Sequence, residues 1–251
     1  MRRFVTSDSH GGYKALIQCL EKCEFDINKD QLFFIGDVVD GWSETRESLE
    51  LLLSIKNLVY LLGNHDEWVV SFYTGKMQSK ESERELWLTQ GGAATVKSYG
   101  ITKPMPQKHL DLLRKAKAYH VTEDNILFVH AGFDTSLPIA ENDKTDLIWN
   151  RSFVRKFYKL YTQHSPFTIK DYKEIYVGHT PTISLDQHQT KPLQMNKIIM
   201  MDTGAAFTGA LSIMDLDSKQ VWQSDKVMTL YPSEEGRNKQ TWHKMNGSYD
   251  A

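Results

Sequence analysis

The run Leu32-Phe33-Phe34-Ile35-Gly36-Asp37-Val38-Val39-Asp40-Gly41 decides how the rest of the chain is read. Four large apolar residues in succession are too few for a helix. No polar residue alternates with them, so both faces of the segment must be covered, as in a strand inside a layered sheet. The run stops at a glycine and then delivers two aspartates to the strand's carboxyl end. The same form recurs along the chain. Arg3–Thr6 leads to Asp8-Ser9-His10-Gly11, and 58–62 leads to Gly63-Asn64-His65-Asp66-Glu67. Ile126–Val129 leads to His130-Ala131-Gly132, and Glu174–Val177 to Gly178-His179-Thr180. Two more apolar runs, 197–201 and 210–214, read as further strands.

Helical patterns separate the early runs. Residues 12–23 place Ala15, Leu16, Cys19, Leu20 and Cys23 on one face, and 44–55 carry Leu49, Leu52 and Leu53 behind an acidic start. Alternation of this kind predicts an α/β layered domain. Residues 67–99 read as a helical cap beside the sheet, 143–167 as a second helical excursion, and 238–251 as a polar tail on a single domain covering 1–237. Cys19 and Cys23, one helical turn apart on an apolar face, read as buried free thiols rather than metal or redox groups.

In an open α/β sheet, ligands gather outside the carboxyl ends of the strands. The five strand ends therefore bring Asp8, His10, Asp37, Asn64, His130 and His179 to one rim. Hard-to-borderline oxygen and nitrogen donors in this number suit two divalent transition ions sharing one carboxylate. Any one of these histidines alone would read as a satisfied core residue; four of the nine histidines lying at apolar-run ends within two residues of glycine or acid would not. His109, His120, His164, His188 and His243 lack that setting and read as structural or surface residues.

These motifs resemble the calcineurin-like metallophosphoesterases, and more narrowly the serine/threonine phosphoprotein phosphatases of bacteria and their phages. Trp87-Leu88-Thr89-Gln90-Gly91-Gly92, Trp149-Asn150-Arg151 and Asp202-Thr203-Gly204-Ala205 extend the resemblance over most of the chain. It implies a four-layered α/β/β/α metallophosphoesterase sandwich with two mixed sheets and a helical cap insertion. It also implies ligand roles: Asp8 and His10 on one metal, Asp37 bridging, and Asn64, His130 and His179 on the other. The ions would be manganese first, with iron, zinc or nickel possible. His65 would be the catalytic proton donor, with Asp40 on its other ring nitrogen favouring the protonated imidazole. Arg151 and Asn64 would hold the substrate phosphate. One position departs from the pattern: the protein phosphatases carry an arginine after the second aspartate, and here Gly41 and Trp42 follow Asp40. Glycine leaves room for a larger group, and Trp42 is either a stacking surface for a leaving group or packing.

Composition narrows the partners. With 30 Lys+Arg against 32 Asp+Glu the net charge is -2, which gives no whole-molecule basic field for nucleic acid. No apolar run approaches the ~18 residues of a membrane span, and no apolar segment follows Met1-Arg2-Arg3 to form an export signal, so a cytoplasmic protein is expected. The expected activity is metal-dependent hydrolysis of phosphate monoesters, on a phosphoprotein or small phosphorylated substrate. Dinucleoside polyphosphate hydrolysis is the alternative enzyme. A catalytically silent scaffold is disfavoured because all six ligands are present.

Overall fold

The computed structural model describes residues 1–101 and 103–238. The polar tail expected over 238–251 lies outside the described residues apart from Asn238. The strands are β1 (Arg3–Thr6), β2 (Gln31–Phe34), β3 (Asn57–Tyr60), β4 (Tyr119–Val121), β5 (Ile126–Val129), β6 (Glu174–Val177), β7 (Leu193–Met195), β8 (Ile198–Met200), β9 (Ala210–Asp215) and β10 (Val221–Lys226). They form two five-stranded sheets, ordered β10-β9-β1-β2-β3 and β4-β5-β6-β8-β7. In each sheet three neighbouring strands run parallel (β1, β2, β3 and β5, β6, β8); antiparallel strands close both margins of the second sheet and one margin of the first, whose other edge is β3.

The continuous apolar runs are buried on two faces because each face meets a different core. Along β2, Leu32 and Phe34 point to the helices while Phe33 points between the sheets. Along β5, Leu127 and Val129 point to helices while Ile126 and Phe128 point between the sheets. Alternation with period two therefore feeds two cores from one strand. Phe33 and Phe128 stack across the interior with centroids 4.2 Å apart, and Tyr176 of β6 continues the stack at 5.2 Å. Each buried aromatic of this kind contributes about 1.5–3 kcal/mol by leaving water, so the stack helps hold the two sheets together.

Helices cover both outer faces. On the first sheet lie α1 (Tyr13–Lys22), α2 (Thr45–Ser54), α3 (Asn64–Tyr73), α4 (Glu81–Trp87), α5 (Ala93–Tyr99) and α6 (Gln107–Arg114); α7 (Lys144–Trp149) and α8 (Arg151–Thr162) pack on the second. Short helices α9 (Thr182–Leu185) and α10 (Val227–Leu230) complete the set. The segment read as a cap is helical and lies beside the first sheet: Val69, Met77, Trp87 and Tyr99 belong to the same core as Phe4 and Leu32. Cys19 and Cys23 are free and buried, as expected, and burial pushes their thiols up to about 12 and about 11. No helix among the described residues is long and apolar enough to cross a membrane.

Candidate metal centre

All six ligand candidates sit where the strands of the two sheets end, and each is at most 4% exposed. The backbone itself is unusual there. Asp8, His10, Asp37, Asp40 and His179 all have positive φ, between 48° and 66°. Asp and His visit this left-handed region more readily than most residues, yet each such placement costs of the order of 1 kcal/mol. Five in one place mark a site shaped for something other than stability.

Asp37 is central. Its Oδ2 lies 3.3 Å from His130 Nε2 and 3.7 Å from His10 Nε2, while Oδ1 accepts from the His65 backbone N–H at 2.9 Å. The ligating atoms of His10, Asp37 and His65 fall within 4.8 Å of one another, and so do those of Asp37, His130 and His179. Two clusters thus share one carboxylate. Asn64 Oδ1 lies 3.2 Å from His130 Nε2 and joins the second cluster. In the first, Asp8 stands slightly back: its carboxylate accepts the His179 backbone N–H at 3.0 and 3.1 Å, with one oxygen 4.0 Å from His10 Nε2.

Glycine makes the close approach possible. A Cβ on Gly63 would come 2.0 Å from Asp37 Oδ1, so the turn into α3 admits the carboxylate only without a side chain. Asp66 then ties the two loops together. Its carboxylate accepts from Gly63 N at 2.8 Å, Asp37 N at 2.9 Å and Val38 N at 3.3 Å. Burial beside Asp37 lifts the Asp66 carboxyl to about 6.

Ring orientations are set by backbone carbonyls. His10 Nδ1 donates to Val39 O at 3.0 Å and Asp40 O at 2.8 Å, and His130 Nδ1 donates to Ile35 O at 2.6 Å. A carbonyl only accepts, so Nε2 of both rings is turned toward Asp37. Burial and Arg237 push His10 down to about 3, and burial with Arg151 pushes His179 well below the ordinary imidazole range. Both rings are therefore neutral and ready to ligate. His130 differs: burial opposes its charge, but Asp37 lifts it to about 10. Asp37 in turn is pushed up by burial and held well below the carboxylate range chiefly by the charge and hydrogen bond of His130. Ligation by His130 would need a neutral ring, so cation binding there would release a proton. The donor set, its burial and its unbalanced carboxylates fit two divalent cations.

His65 and Asp40 meet as expected: His65 Nδ1 is 2.9 Å from Asp40 Oδ2. Asp40 also accepts from Trp87 Nε1 at 2.7 Å and Thr95 Oγ1 at 2.7 Å. Burial and the Arg237 charge push His65 well below its ordinary value, and burial pushes Asp40 well above its own. Arg151 reaches the rim from the start of α8, where its Nε donates to His179 Nε2 at 3.0 Å. Of the two readings of Trp42, the structure shows packing. It is fully buried, its Nε1 donates to Ala205 O at 2.9 Å, and it stacks on Tyr231 at 5.2 Å, so it offers no face to a substrate.

Facing mixed sheets whose parallel strands converge on one shared carboxylate place the molecule, by architecture, among the metallophosphoesterases. The chain belongs to the calcineurin-like phosphoesterase family, whose pattern matches residues 1–198. It is 31% identical over 136 residues to a symmetrical bis(5'-nucleosyl)-tetraphosphatase of Pseudomonas fluorescens, covering 53% of this chain and 42% of that protein. The chain thus spans less than half the length of that curated relative. Among solved structures it is similar to a candidate diadenosine tetraphosphatase (TM-score 0.61, 16% identity, 88% of this chain and 92% of that one). It is also similar to a protein serine/threonine phosphatase from Saccharomyces cerevisiae (TM-score 0.52, 14% identity, 89% and 79%). At these identities the structural likenesses speak for the fold.

Proposed function

We propose that this chain is a divalent-metal-dependent hydrolase of dinucleoside polyphosphates, cleaving diadenosine tetraphosphate with water into two ADP. The likeness to the symmetrical tetraphosphatases carries the reading in preference to the phosphoprotein phosphatase expected from the motifs alone. When bound, two divalent cations, manganese in this proposal, supply a water-derived nucleophile near neutral pH and neutralise charge on the phosphoryl oxygens. Asp8 and His10 would hold one ion, Asn64, His130 and His179 the other, and Asp37 both. Arg151 and the Asn64 carboxamide would orient the phosphoryl group, the guanidinium by paired N–H donors. His65, held through Nδ1 by Asp40 at 2.9 Å, would protonate the departing oxygen through Nε2.

A side-by-side assay with manganese tests the substrate class. Diadenosine tetraphosphate should be cleaved to ADP with kcat/KM at least ~10-fold above that for a phosphoserine peptide, a gap of about 1.4 kcal/mol in transition-state binding. Preference for the phosphopeptide would restore the protein phosphatase reading. No turnover of either substrate, or of p-nitrophenyl phosphate, with manganese, iron, zinc or nickel would leave the scaffold reading standing.

A further inference from the structure

The gap expected beside Gly41 is filled from the far end of the chain. A Cβ built on Gly41 would meet Arg237 Cγ at 3.3 Å and His10 O at 3.1 Å, and Gly41 has φ +128°. The position is therefore closed to a side chain of its own, both by conformation and by the arginine stem lying over it. The segment leading to Arg237 is fastened around Trp42. Tyr231 stacks on the indole, and a Cβ on Gly236 would strike the same ring at 2.6 Å. Glu234 accepts from Ser43 N at 2.9 Å and Ser43 Oγ at 2.6 Å, and Arg237 N donates to Ala206 O at 3.0 Å. Trp42, which offers nothing to a substrate directly, is the platform that aims Arg237.

The guanidinium ends at the rim. Nη1 lies 3.5 Å from His10 Nε2, and Nη2 donates to Gln90 Oε1 at 2.9 Å. The buried Nε–H has no partner. An arginine has five N–H donors, and among the described residues neither Arg237 nor Arg151 is in an ion pair with a carboxylate. Arg151 stands on the His179 side of the cluster and Arg237 on the His10 side. Two cations without carboxylate partners flank the same buried carboxylates and imidazoles, a setting suited to a bound anion.

We infer that Arg237 is a phosphate-binding residue of this site, acting from the opposite flank to Arg151 and standing in for the arginine that Gly41 replaces. The inference rests on the phosphoesterase reading above and adds a residue and a specificity to it. An anion carrying several phosphates could engage both arginines at once, so a polyphosphate should depend on Arg237 more than a single phosphate does.

Arg237→Ala and Arg237→Gln decide the matter, each loaded with manganese and checked for metal content and fold. Two things are measured: calorimetric affinity for inorganic phosphate and for pyrophosphate, and the split of kcat from KM on p-nitrophenyl phosphate. Either variant that folds should retain wild-type metal content while losing phosphate affinity by at least ~10-fold, as removal of a charged hydrogen-bond donor implies. Pyrophosphate affinity should fall further, and KM should rise more than kcat falls. Phosphate affinity within twofold of wild type would overturn the inference, as would a loss that only tracks lost metal. A wild-type protein that neither binds phosphate nor turns over any phosphoester would instead remove the phosphoesterase reading itself.

Discussion

Asp37→Asn should lower kcat on any phosphoester by on the order of 10³-fold or more, while far-ultraviolet circular dichroism stays that of the folded protein. An effect of this size corresponds to about 4 kcal/mol of lost transition-state stabilisation. The reason is its position: Asp37 is the one carboxylate common to both ligand clusters, with Oδ2 within 3.3 Å of His130 and 3.7 Å of His10. Asparagine keeps the shape and can still accept the His65 N–H, so the turn into α3 retains its hydrogen bond. It removes the negative charge that lifts His130 and that two cations would share. A variant keeping more than a tenth of wild-type kcat would show that the shared carboxylate is not central. A variant that unfolded would leave Asp37→Glu to be compared, with the same loss expected from the displaced oxygen.

The second large effect separates leaving groups. His65→Asn should slow hydrolysis of an alkyl phosphate by about 10²–10⁴-fold, the range for a positioned general acid. It should slow p-nitrophenyl phosphate, and the anhydride of diadenosine tetraphosphate, far less, because nitrophenolate and ADP leave without a full proton. Asp40 sits behind the ring and is held by Trp87 and Thr95 as well as by His65, so Asp40→Asn should repeat the pattern in weaker form. Equal losses on all three substrates would point to metal binding by His65, which the proximity of its ligating atom to His10 and Asp37 also allows, and would remove the proton-transfer role.

Much of this arrangement was legible before any coordinates. The apolar runs ending at Asp8, Asp37, Asn64, His130 and His179 show both that the strands are covered on two faces and where chemistry collects, because a buried parallel strand must be apolar throughout and only its end is free for polar residues. The strands left unread are β4, β7 and β10. They lie at or beside the antiparallel margins, where one side of the strand meets solvent and residues such as His120, Gln194 and Asp225 break the apolar run. The supporting residues were hidden for a different reason. Asp66, Trp87 and Thr95 act by holding a loop or a carboxylate, and their local sequence carries no sign of the partner they meet. Trp87 and Thr95 lie 47 and 55 residues from Asp40. Arg237 is more remote still, 227 residues from His10, in a stretch whose sequence reads as ordinary surface. Gly41 was the available signal: a glycine where an arginine is usual says that something else must fill the space.

The most direct test is to count metal ions bound to the wild-type chain. After incubation with manganese and removal of excess by gel filtration, elemental analysis should find close to two ions per chain for the wild type and one or fewer for Asp37→Asn. A wild-type chain that retains no ion from manganese, iron, zinc or nickel, or one whose count is unchanged by Asp37→Asn, would contradict the claim that the two clusters form a paired cation site about a shared carboxylate.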